Sequence, residues 1–111
     1  MKLSQADALS LLIKYADERT PVIAAFVTSS LSAARVTGIV RVSMVGDIPQ
    51  LLVGNDDQAS SQIKFRLSDC VFEYGDFRGE RDAQRFEAFL VIASSKGDTL
   101  SLFETKNKHR Q

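Results

Sequence analysis

From Arg35 to Met44 the chain alternates between apolar and polar positions. Val36, Gly38, Val40, Val42 and Met44 fall on one side, and Arg35, Thr37, Arg41 and Ser43 on the other. Because successive side chains of a strand point to opposite faces, this pattern predicts a strand with one dry face and one mostly wet face. Gly46-Asp47 predicts a tight turn, and Ile48 to Val53 returns as a second strand. Pro49 has no N–H to give to a ladder, which predicts an edge position or a bulge there.

Upstream the period changes. Ser4 with Asp7 three residues on is a capping-box variant, and Leu9, Leu12, Ile13 and Ala16 then recur at helical spacing until Thr20-Pro21 stops the run. An amphipathic helix over about Gln5 to Arg19 follows, its buried face widened by Leu11 and Tyr15. Its polar side has no row of Lys or Arg, so the face is expected to pack on the core and not on a membrane. Val22 to Thr28 is nearly all apolar or small, which predicts a strand covered on both sides, by the sheet core and by the helix.

Downstream, 54–61 is polar throughout and reads as a loop. Ile63, Phe65 and Leu67 then alternate with Lys64, Arg66 and Ser68, but the apolar set continues on even numbers at Cys70, Phe72 and Tyr74. A slip of one residue reverses every side chain, so a bulge or sharp bend is expected at Ser68-Asp69. After a charged connection over 75–85, Phe86, Ala88, Leu90 and Ile92 form one face of a last hairpin. It turns at Lys96-Gly97-Asp98 and returns through Leu100 and Leu102. The expected fold is α+β and mostly β: an N-terminal amphipathic helix, then a strongly bent antiparallel sheet or small barrel of about six strands. In element order this resembles small SH3-like and Sm-like barrels. One domain over 1–105 and a basic tail over 106–111 are expected.

Composition narrows the function classes. The 111 residues carry 14 basic and 14 acidic side chains, so an electrostatic partner has to be held by a local patch and not by a global field. No secretory or membrane-spanning run is evident, and the lone Cys70 has no disulfide partner, so a cytoplasmic protein with no membrane partner is expected. His109, the one histidine, lies in the tail, away from any rigid element that would hold it as a general base. With one His and one Cys, the usual zinc ligand sets are also out of reach. No phosphate-binding glycine loop or dinucleotide fingerprint is present, so neither catalysis nor a cofactor is expected. Asn55, Asp56 and Asp57 lack the spacing of a calcium loop and read as solvated.

Two groups of residues carry the expectations about binding. Ile39, Val45, Val71, Phe89 and Val91 fall on the register that should face water, which predicts either cover by the helix or an interface with another copy of the chain. Arg35, Arg41, Lys64 and Arg66 form a basic stripe if their strands are neighbours, suited to RNA phosphates unless Glu73, Glu87 and Glu104 neutralise it. Arg78, Arg81 and Arg85 share a side if their segment is helical and would then hold a small anion. The leading expectation is a non-catalytic binding or assembly module, a homo-oligomer through the apolar outer patch. The alternatives are single-stranded RNA or polyanion binding on the stripe, and anionic-ligand binding at the Arg-rich loop.

Overall fold

The computed structural model describes residues 1–54, 62–76 and 86–105. The Asn55-Asp56-Asp57 loop, Arg78, Arg81, Arg85 and the tail with His109 lie outside the described residues. The elements are β1 (Lys2–Leu3), α1 (Gln5–Asp17), β2 (Pro21–Val27), β3 (Ala33–Val45), β4 (Ile48–Gly54), β5 (Ile63–Arg66), β6 (Cys70–Asp76), β7 (Phe86–Ser94) and β8 (Thr99–Thr105). The fold is α+β and mostly β, as the alternation implies. Eight strands replace the expected six because the bent strand is two, β5 and β6, and because the short β1 precedes the helix.

Ser4 caps α1, its Oγ accepting the Asp7 N–H at 3.1 Å. The helix stops at Asp17, two residues before the expected Arg19, because Arg19 takes a left-handed conformation (φ 51°). The Arg19 and Thr20 N–H groups then bond the Ala16 and Tyr15 carbonyls, the hydrogen-bond pair of a Schellman ending, and Pro21 opens β2. Ala8, Leu12 and Tyr15 form the buried stripe, so the helix is rotated by about one position from the predicted face, leaving Ile13 exposed.

All ladders are antiparallel, in the order β1-β6-β7-β8-β2-β3-β4-β5. Apart from β1 and the step from β5 to β6, chain neighbours are sheet neighbours, and β8 returns to pair with β2. β5, at one end of the order, and β6, next to β1 at the other, are consecutive in the chain but share no ladder among the described residues. Residues 67–69 turn the corner between them, with Leu67 buried and Asp69 at φ 55°. The expected bend is therefore a corner joining two strands, and the sheet curls without closing.

The inner face alternates as predicted. Val40, Leu51, Val53, Phe65, Phe72, Leu90, Ile92, Leu100 and Leu102 are buried, with the α1 stripe packed among them. α1 packs chiefly on β3, with lesser contacts to β6 and β1, from the inner side of the sheet. It therefore does not cover β2 from outside. Ile23 and Ala25 are only half-buried, and the expectation of cover on both sides of β2 fails. Met44, predicted to face the core, is 61% exposed, because the β3–β4 hairpin runs beyond the body it would pack on.

Pro49 occupies neither an edge strand nor a bulge, since β4 lies between β3 and β5 in regular register. Its carbonyl accepts the Leu67 N–H at 2.9 Å, on the β5 side. In a strand, N–H and C=O of one residue point the same way, so the N–H that proline lacks would also have pointed toward β5. The β3–β4 ladder loses nothing.

Candidate functional site

Among the described residues, β5 pairs with β4 on one side only. Its sequence, Ile-Lys-Phe-Arg, sends Ile63 and Phe65 into the core and Lys64 and Arg66 outward, where both are exposed. Beside it lies a groove of about 270 Å³, bounded by β5, the 67–69 corner, the β7–β8 turn and the end of β2. Phe26 and Phe65 form its floor, their rings edge to face at 5.8 Å and 86°.

The opposite wall is rigidly built. Ser94 Oγ accepts the N–H groups of Lys96 and Asp98, both at 3.2 Å, and Gly97 turns the chain at φ 93°. Asp98 Oδ1 accepts the Ser29 N–H at 3.0 Å, and the Ser95 N–H bonds the Asp69 carbonyl at 3.1 Å, which fixes the turn to the β2–β3 loop and to the corner. Lys96 stands exposed at the tip of this turn. Three cations, Lys64, Arg66 and Lys96, thus surround one groove, with Asp69 and Asp98 also in its lining. Among the described residues, no side-chain hydrogen bond or ion pair engages any of the three.

The structure divides the predicted stripe. β3 and β5 are not neighbours, because β4 lies between them and places Leu52 between Arg41 and Lys64. Arg41 is engaged in interactions of its own and does not line the groove. Arg35 sits six residues further along β3, about 20 Å away at strand rise, opposite Ala25. Two of the proposed neutralising partners, Glu73 and Glu104, do not reach Lys64 or Arg66. Glu73 on β6 pairs with the Met1 ammonium at 3.4 Å, and Glu104 lies on the inward register of β8, opposite Val22. The side chain of Glu87 is outside the described ones. Lys96 was missed because a Lys-Gly-Asp turn reads only as a turn; the register of a hairpin on the other half of the sheet brings it to β5.

The apolar outer set is also only partly gathered. Phe89 and Val91 on β7 and Val71 on β6 share the outer face with Phe103 and Ile23, which continue the row of Phe89 across β8 and β2. The Phe89 ring lies over Gly75, where a Cβ would approach its Cζ to 2.5 Å. Ile39 flanks this row beside Pro21, whereas Val45 lies six residues away at the hairpin end. The inner position of α1 removes the alternative that the helix covers these residues.

No family model, curated protein or solved structure matches the chain. The functional reading therefore stands on the geometry alone.

Two further groups complete the chemistry. The Cys70 thiol is half-buried, donates toward the Ser68 and Arg66 carbonyls at 3.4 and 3.7 Å, and is pushed up in pKa by burial and by Asp69. These conditions disfavour the nucleophilic thiolate. Tyr15 on α1 is buried at 3% exposure, and its phenol is held protonated above the usual tyrosine range, by burial first and then by Glu104 and Tyr74. Stability is expected to hold up to about pH 10 and to fall above it, because there the unfolded chain releases the Tyr15 proton and the folded chain keeps it. The loss approaches about 1.4 kcal/mol per pH unit. Urea unfolding across that range checks this, and Tyr15→Phe should remove the difference.

Among the described residues, no three His, Cys, Asp or Glu side chains gather as a metal site. No described helix is long and apolar enough to cross a membrane.

Proposed function

We propose that the protein is a non-catalytic binding module whose ligand is a polyanion seated in the groove beside β5. The observation that carries this reading is the placement of Lys64, Arg66 and Lys96 around one groove with no carboxylate paired to any of them among the described residues. Like charges held together on a rigid wall repel one another, and an anion bridging them reverses that sign. The aromatic floor gives the same ligand an apolar surface to rest on.

The test is titration of fluorescent anions, a decameric oligouridylate and an acidic peptide, at low salt. At least one is expected to bind, with affinity falling as salt rises, and the double variant Lys64→Glu/Arg66→Glu is expected to bind about tenfold or more weakly. Absence of binding by either anion at low salt would remove the proposal.

A second reading, self-association, is favoured by a separate observation. No described element covers the outer face at Ile23, Val71 and Val91, and Val71 is 55% exposed. It predicts a dimer or larger assembly in light scattering, dissociated by Phe89→Glu or Ile39→Glu. A monomer at high protein concentration rules it out.

A further inference from the structure

The same groove has a second property besides its charge. The Leu67 N–H bonds Pro49 on β4, and backbone polar groups of successive strand residues alternate between the two edges, so Ile63 and Phe65 also present theirs to β4. The N–H and C=O groups of Lys64 and Arg66 therefore point away from β4, toward the edge on which β5 has no strand partner among the described residues. The Arg66 carbonyl is met by the Cys70 thiol at 3.7 Å. Both N–H groups and the Lys64 carbonyl have no partner among the described residues.

We infer that the polyanion taken by this groove is an extended acidic peptide segment of another protein, added as a strand to the open edge of β5. The inference rests on the anion reading above and names the ligand's class. An added strand lies about 4.8 Å from β5 and alternates its side chains between the two faces. On the outer face these side chains lie beside Lys64 and Arg66, and on the inner face they lie over Phe26 and Phe65. The segment that fits alternates carboxylates with apolar residues, its main chain giving affinity and its side chains specificity. RNA fits less well. Phe65 is only 5% exposed and Phe26 meets it edge to face, so no flat pair of rings is offered for base stacking.

The experiment uses the full chain, a labelled decapeptide of alternating Glu and Val, the same peptide with Lys for Glu, and a decameric oligouridylate. The acidic peptide is expected to bind and the basic one not. On binding, the Lys64 and Arg66 amides are expected to exchange their hydrogens about tenfold or more slowly, since they enter a ladder. Lys64→Pro removes an N–H aimed at the groove and none bonded to β4, so it should weaken peptide binding about tenfold more than Lys64→Ala does. Where the proline variant fails to fold, amide exchange in the unaltered chain decides the question. Peptide binding without protection of those amides overturns strand addition, as does binding of the oligouridylate but not the acidic peptide; in both cases the anion reading survives. If neither anion binds, both readings fall.

Discussion

Phe72→Ala is expected to destabilise the fold by about 3–5 kcal/mol, from the lost transfer energy of a buried ring and the cavity left behind. Phe72 is 1% exposed at the centre of β6, paired with Ile92 on β7 and Leu3 on β1, so no solvent stands ready to fill the space. Neighbouring strands hold its surroundings on both sides and limit collapse. A chain of this size has about 5–15 kcal/mol in total, so the variant should lose a large share of its stability. Urea unfolding should show the midpoint moving and the slope unchanged. Val71→Ala, one position away but 55% exposed, should change stability by less than about 1 kcal/mol. The reverse order of the two effects would mean that β6 has been assigned to the wrong register.

That comparison also shows which parts of the fold the sequence makes legible. Period-two alternation names the inner face of β3 and of β5 to β8 nearly residue by residue, because one buried face leaves only one register that hides its apolar side chains. The phase slip at Ser68-Asp69 is equally legible, since Leu67 and Cys70 can both turn inward only if the chain corners between them. Alternation does not say which strand lies beside which. Arg41 and Lys64 each sit on a correctly predicted wet face, yet β4 separates them, because meander order is a property of turns and ladders and not of facing. The end of α1 was hidden for a different reason. Arg19 carries the left-handed turn that a glycine would have advertised, so the helical pattern runs two residues past the true stop.

The groove was half legible. Lys64 and Arg66 are visible as outward cations on an alternating strand, but their freedom from partners depends on where three glutamates go. Glu104 illustrates the limit. In sequence it is a charged residue near a strand end, open to cross-strand pairing, whereas its even register turns it inward toward Tyr15. Lys96 contributes because the Ser95 N–H pins a hairpin turn, braced by Ser94, against the corner at Asp69, and that contact joins halves of the sheet far apart in the chain. The edge of β5 that has no strand partner among the described residues had no signal at all, since an edge is defined by the absence of a neighbour.

Gly38→Ala is the other large expected effect, about 3 kcal/mol or more, from crowding against backbone that cannot yield. β3 changes partners near this point, with Gly38 opposite Val22 on β2 and Ile39 opposite Gly54 on β4. A Cβ built on Gly38 would stand 2.5 Å from the Gly54 carbonyl carbon, 2.9 Å from its Cα, and closer still to its oxygen. No rotamer relieves such a clash, so the two strands must part where the sheet bends. Two other glycines calibrate the claim. At Gly75 an added methyl meets the far end of the Phe89 ring, which can swing away, and the cost should be about 1 kcal/mol. At Gly46 nothing lies within 4 Å, and the expected cost of about 1–2 kcal/mol comes from holding alanine at φ +64°. Urea unfolding of the three alanine variants should therefore place Gly38→Ala well apart from the other two. Equal costs at Gly38 and Gly46 would mean that β3 and β4 do not approach as closely as their register at Ile39 and Gly54 requires, and the curl that brings β5 round to the β7–β8 turn would lose its physical cause.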